Sequence, residues 1–181
     1  MGTLPFSLRL AAIEDVPALD RLIGESAREL GRADYTEVQI EAAVGTAWGV
    51  DSQLIRDGTY FVAEAEGEIV ACGGWSRRQT LFGGDMQAGR SSALLDPARD
   101  AARIRAFFVR PDWARRGIGR ALLERCEAEA RAHGFRRLDL MATLPGERLY
   151  AAAGFVVAAR EDYTLRPGVR IELIAMTKVL T

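Results

Sequence analysis

Three arginines and two glycines, Arg115, Arg116, Gly117, Gly119 and Arg120, stand where a strand-like run gives way to a helix-like one. The first turn of a helix carries free backbone N–H groups and the positive end of the dipole. Glycine there lets an anion approach the main chain with no Cβ in the way. The chemistry on offer is anion binding, most directly of a pyrophosphate. A glycine pair before a helix is also ordinary turn geometry, and these residues alone leave that reading open. Two rival motifs fail: a dinucleotide fingerprint needs a third glycine where Leu122 stands, and a Walker A loop needs Gly-Lys-Ser/Thr. Cys72 and Cys126 fall in apolar runs and read as small core residues. His133 sits beside Gly134 at a helix end, where an imidazole caps the carbonyl dipole. Two cysteines and one histidine give no disulfide framework and no zinc site of the usual Cys/His kind, so no metal is expected.

The segment Ala114-Arg115-Arg116-Gly117-Ile118-Gly119 resembles the acetyl-CoA-binding motif of the GNAT superfamily of N-acetyltransferases, Gln/Arg-x-x-Gly-x-Gly/Ala. Ala114 departs from it, standing where Gln or Arg is usual. Downstream, Leu149, Tyr150, three alanines, Gly154 and Phe155 resemble the family's second signature, Phe-Tyr-x-x-x-Gly-Phe. The resemblance implies an acetyl-CoA-dependent N-acetyltransferase acting on a primary amine of a small molecule or a protein. It implies a mixed α/β fold with a central, mostly antiparallel twisted sheet, splayed between the strands before and after the glycine-motif helix. The strand ending at Phe108 and Val109 would pair with the pantetheine arm, and Arg115, Arg116, Gly117, Ile118, Gly119 and Arg120 would hold the pyrophosphate. Tyr150 would be the general acid: expulsion of a thiolate needs a proton, and a phenol of pKa about 10 can give one. On local sequence alone Tyr150 is equally a packed core tyrosine between Leu149 and Phe155. Family members often dimerise through their C-terminal strands, so a homodimer is the assembly the resemblance admits.

A lysine-like amine of pKa about 10.4 is neutral in only about one molecule in 2,500 at pH 7, so some base or water chain is expected. Certain family members carry a glutamate on the strand before the glycine motif. Arg103 and Arg105 stand there instead, which leaves the base unassigned among Asp100, Asp96, Glu64 and Glu37. Alternation puts Arg103, Arg105 and Phe107 on one face of their strand, Phe108 on the other, and Trp75 and Arg77 close by on the preceding strand. Two arginines facing the acceptor predict a carboxylate-bearing amine rather than a polycation. That prediction loses its basis if both guanidiniums pair with the protein's own acids. The non-enzymatic alternatives are an acyl-CoA-binding sensor or inactive homologue, and an interaction module, which would leave the anion cradle without an anion.

The elements that must position these groups are legible in outline. Residues 6–10 read as a strand. A helical face of Val16, Leu19, Leu22, Ile23, Ala27 and Leu30 follows, ended by Gly31. Thr36 with Gln39 forms a capping-box signature, and Asp51 caps a further short turn. Residues 59–65 and 68–76 read as a hairpin, with Gly73-Gly74 either a bulge or a close approach. Residues 79–100 form a long loop, either a lid or an insertion. Strand 104–109, the helix ended by Gly134, strand 138–142, helix 146–153 and strands 155–159 and 171–179 complete a single domain over 1–181, mixed α/β in order. The chain has 181 residues, 24 basic against 25 acidic, a net charge of −1 and 49% hydrophobic residues. That balance predicts no nucleic-acid partner. With no apolar run of membrane length and no leader pattern in residues 1–10, it predicts a cytoplasmic protein without a membrane partner.

Overall fold

A computed structural model describes residues 5–181; residues 1–4, where the segment read for a leader begins, lie outside the described residues. Among the described residues the elements run β1 Ser7–Leu10, α1 Val16–Gly31, α2 Glu37–Ala43, α3 Ser52–Arg56, β2 Tyr60–Ala65, β3 Glu68–Ser76, β4 Ala102–Val109, α4 Ile118–Ala132, β5 Arg137–Ala142, α5 Glu147–Ala152, β6 Val156–Arg166 and β7 Val169–Val179. The strands form one sheet in the order β1-β2-β3-β4-β5-β7-β6. Every pairing is antiparallel except β4 with β5. No described helix is long and apolar enough to cross a membrane.

Period-two patterning with apolar residues on both faces explains the layering. On β2, Phe61, Ala63 and Ala65 pack under α4 with Ile118, Leu122, Leu123 and Cys126, whereas Tyr60 and Val62 pack under α1 and α2 with Leu19, Ile23 and Ile40. Each of those buried leucines and isoleucines contributes about 1.5–3 kcal/mol relative to exposure. The capping box of α2 forms as its sequence predicts, with Gln39 N donating to Thr36 Oγ1 and Gln39 Oε1 accepting from Thr36 N. His133 caps α4, its Nδ1 2.8 Å from Glu129 O, and both cysteines are buried. The last two strands are longer than the pattern suggested. β6 runs on to Arg166 as an exposed edge, where no burial contrast marks its end.

Two irregularities shape the middle of the sheet. The pairing of β4 with β5 holds only at Ala102↔Leu138 and Arg103↔Asp139. Beyond it β4 follows β3 and β5 follows β7, so the strands splay and leave a gap. The second is a bulge in β4. Cys72 pairs with Phe108 and Gly74 with Arg105, so Ala106 and Phe107 together face Gly73. Ala106 takes φ 54°, a left-handed conformation uncommon outside glycine. Gly73 is required there, because a Cβ would lie 2.7 Å from the Phe107 ring. The Gly73-Gly74 pair is thus both bulge and close approach.

The bulge corrects the strand alternation. Arg103 and Arg105 do share a face, but Phe107 turns to the α4 side with Ile104, while Ala106 and Phe108 face the α1–α2 side. One extra residue inverts the phase of everything after it. Phe107 and Phe108 do point to opposite faces.

Candidate active site

A cavity of about 230 Å³ passes through the gap between β4 and β5. At its α4 end it is lined by Val109, Gly119, Leu149 and Tyr150, and at its α1 end by Leu30, Tyr35, Trp48 and Phe82. Phe107 and Phe108 line it from the two faces of β4. The bulge is held from below: the Tyr60 hydroxyl donates to Ala106 O at 2.9 Å.

The glycine motif forms an anion cradle. Arg115 (φ 66°) and Gly117 (φ 82°) are both left-handed and curl the chain into a loop of the kind whose N–H groups bind anions. Gly117 is the N-cap of α4, and the first backbone bond onto the helix is Ala121 N to Gly117 O at 3.0 Å. Among the described residues the N–H groups of Ile118, Gly119 and Arg120 take no backbone acceptor, as the geometry of a helix start requires. A Cβ on Gly117 would meet nothing within 4 Å, so its main chain stands open; one on Gly119 would press on Leu149 Cδ2 at 3.2 Å. The three arginines differ. Arg116 stacks on Trp113 at 4.5 Å, Arg120 pairs with Glu124 on the helix surface, and Arg115 makes no ion pair among the described residues. The cradle fits a diphosphate through its backbone and Arg115, with Arg116 and Arg120 at the rim. Among the described residues no group of three His, Cys, Asp or Glu side chains is placed to hold a metal.

Tyr150 is buried between Phe107 and Phe155, with ring centroids 6.1 and 5.8 Å away. Its hydroxyl makes no hydrogen bond among the described residues and opens on the cavity. Burial in this apolar setting pushes the phenol well above its ordinary value, so it stays protonated at neutral pH.

The proposed acceptor residues fare differently. Arg105 alone of the four reaches the cavity, and its guanidinium is engaged: Nη2 bonds Asp51 Oδ2 at 2.8 Å and Gly83 O at 2.7 Å, and Nη1 bonds Thr80 O at 3.0 Å. Arg103 pairs with Asp139 at 2.9 Å, at the foot of the splay. Trp75 is buried on the α4 face against His133 and Phe135, and Arg77 lines no part of the cavity. Both arginines are therefore neutralised by the chain's own acids, and the carboxylate-bearing acceptor loses its basis. The base candidates also lie elsewhere: Asp100 accepts Asp96 N, Glu64 pairs with Arg9, and Glu37 is exposed on α2. Sequence alone missed Tyr35, Trp48, Leu81 and Phe82, whose segments have no motif, and the Ala106 bulge. The one available signal was the Gly73-Gly74 pair on the neighbouring strand.

The loop over 79–100 is pinned rather than loose. Gly84 N donates to Thr46 O and Asp85 N to Val50 O, both at 2.8 Å, and Arg90 pairs with Asp51 at 2.6 Å. It puts Leu81, Phe82 and Gly83 into the cavity wall.

A splayed sheet, an open helix start with free N–H groups and an unpartnered phenol across the gap together make up the candidate site. The family model described as acetyltransferase (GNAT) family matches residues 24–155. The chain belongs to that family. A GCN5-related N-acetyltransferase from Rhodopseudomonas palustris is similar at 23% identity and a TM-score of 0.73, with 99% of each chain covered. The PaiA N-acetyltransferase of Thermoplasma acidophilum, solved in complex with coenzyme A, is similar at 16% identity and a TM-score of 0.64, over 96% of this chain and 98% of that one. YncA of Salmonella typhimurium, solved with its cofactor acetyl-CoA, is similar at 18% identity and a TM-score of 0.64, over 97% and 94%. No match was found among curated proteins.

Proposed function

We propose that the protein is an acetyl-CoA-dependent N-acetyltransferase that acetylates a primary amine of a small molecule or a protein, in the cytoplasm and without nucleic acid or membrane. The observation that carries this reading is the unpartnered Tyr150 hydroxyl in a cavity that also reaches the helix-start cradle. Acetyl-CoA supplies an acetyl group activated as a thioester, whose transfer to an amine releases a thiol. The α4 N-terminus and Arg115 hold the diphosphate. Val109 and the bulge at Ala106–Phe107 line the passage to the acceptor, and Tyr60 fixes the bulge from behind. Tyr150 gives its proton to the departing sulfur, which is the work of a general acid that stays protonated at neutral pH.

A second reading, an acyl-CoA-binding sensor or inactive homologue, is favoured by one observation: no carboxylate or imidazole lines the cavity among the described residues. A thiol-release assay with acetyl-CoA and a panel of amines separates the two. Turnover that falls with Tyr150→Phe is the expected result. Binding of acetyl-CoA with no thiol released by any amine supports the sensor, and failure to bind acetyl-CoA refutes both.

A further inference from the structure

The missing base has a second consequence, concerning the acceptor itself. The α1 end of the cavity is walled by Leu30, Trp48, Leu81, Phe82, Phe108 and Leu173. The polar side chains that line the cavity away from Tyr150 include the Tyr35 hydroxyl, the Arg105 guanidinium, Thr143 and Ser26, none of them a carboxylate. The Tyr35 hydroxyl donates to Glu172 O at 2.8 Å and accepts from Leu144 N at 2.9 Å, and burial raises its pKa to about 12. Arg105 is held through Nη1 and Nη2 by Asp51, Thr80 O and Gly83 O, while its buried Nε takes no partner among the described residues. The Ser26 hydroxyl on α1 also has no partner among the described residues. An ammonium entering this end would exchange water for an apolar wall with no carboxylate lining it. Desolvation favours the neutral amine.

We infer that the acceptor is a weakly basic primary amine on an apolar body, bound as the free base. The inference rests on the acetyltransferase reading for what happens to that amine, and it explains how transfer proceeds without a base. The nitrogen lone pair forms the C–N bond as the C–S bond breaks. Sulfur leaves with the bond pair and takes the Tyr150 proton, and the proton shed by nitrogen restores the phenol. The proton count closes on the free base, whereas an ammonium brings one proton more than the cavity can accept. At pH 7 an α-amine of pKa about 8 is neutral in roughly one molecule in ten and a lysine-like amine in one in 2,500, a difference of about 200-fold.

The test is calorimetric titration of amines into the protein saturated with CoA, a complex that cannot react. The probes are aniline, phenylalanine ethyl ester, 2-phenylethylamine, phenylalanine and spermidine. Aniline or the ester binds at least about tenfold more tightly at pH 7 than phenylalanine or spermidine. Which of the two leads tells an arylamine from a masked α-amine. For 2-phenylethylamine, Kd falls about tenfold per pH unit from pH 7 to 9 and one proton is released on binding, because the bound form is neutral. Leu30→Glu, at a 37% exposed position on the wall, adds a carboxylate and removes most of that pH slope; Leu30→Gln keeps it. A flat Kd for 2-phenylethylamine, spermidine or phenylalanine binding as tightly as the ester, or no binding by any probe overturns the inference. Thiol release is measured separately with acetyl-CoA: the binding pattern without turnover refutes acetyl transfer and leaves the acceptor chemistry standing.

Discussion

Asp51→Asn is the most demanding perturbation of the structure. Asp51 and Arg105 are each 2% exposed and sit 2.8 Å apart, and Asp51 also takes Arg90 at 2.6 Å. The substitution is isosteric and keeps an oxygen for the α3 cap at Gln53 N, so the capping contribution of about 1 kcal/mol is retained. What disappears is the one carboxylate paired with Arg105 among the described residues, whereas Arg90 keeps Asp85 at 3.5 Å. Arg105 then keeps the carbonyls of Thr80 and Gly83 but stands as an uncompensated buried charge beside Arg90. Breaking a buried pair from one side costs about 3–5 kcal/mol. In a chain of this size each kcal/mol moves Tm by about 2–4 °C, so the expected drop is roughly 6–20 °C. Thermal unfolding followed by circular dichroism reads it. Arg105→Met in the same background should recover a large part of the loss, because the stranded charge goes with it. A drop under about 2 °C, or no recovery in the double variant, would refute the claim that this ion pair pins the cavity wall.

Other expectations follow from single contacts. Tyr150→Phe should lower kcat by about 10²–10⁴ while leaving Tm within about 1 °C, since its hydroxyl makes no hydrogen bond among the described residues; equal kcat in a steady-state assay would remove its role. Gly117→Ala places a side chain at φ 82°, costing about 1–2 kcal/mol, and narrows the cradle, so the dissociation constant for CoA should rise; unchanged affinity by calorimetry would argue against the cradle. Gly73→Ala should cost about 1–3 kcal/mol and displace the Phe107 ring, which urea unfolding would detect. The Asp57 carboxyl is held below the usual carboxylate range by the Arg78 guanidinium. A depressed pKa stabilises the fold above the unfolded value of about 4 and loses that contribution as pH falls through the folded value, so Arg78→Gln should flatten the stability-against-pH curve below pH 4.

What the sequence made legible is what repeats or punctuates. The amphipathic stripe of α1, the Thr36–Gln39 cap and the Gly117–Gly119 helix start each announce themselves within a few neighbouring residues, whereas Tyr150 is singled out only by the family resemblance. The mostly antiparallel, splayed sheet came with the family resemblance, but the strand order β1-β2-β3-β4-β5-β7-β6 did not. The errors arose where a distant partner decides the outcome. Alternation along β4 is sound until Ala106, and the bulge that inverts it depends on Gly73, 33 positions earlier in the chain. Arg103 and Arg105 look available in sequence because Asp139 and Asp51 are remote from them, and pairing across elements leaves no local trace. The wall residues Trp48, Leu81 and Phe82 are apolar side chains in segments without a period, so nothing separated them from core.

The two-rung join between β4 and β5 makes the sheet a pair of stiff leaves on a short spine. One leaf runs from β1 to β4 and the other comprises β5, β7 and β6, and Arg103–Asp139 clips them at the spine. From Arg103 to Val109 a strand extends about 20 Å at roughly 3.3 Å per residue, so a rotation of about 5° at the clip opens the far end by about 1.7 Å. Misplacement of reacting groups by about 1 Å can cost 10²-fold in rate. The leverage therefore lies at the narrow end. A conservative exchange at Asp139, remote from the phenol and from the cradle, is expected to act on the width of the gap through an angle instead of a contact.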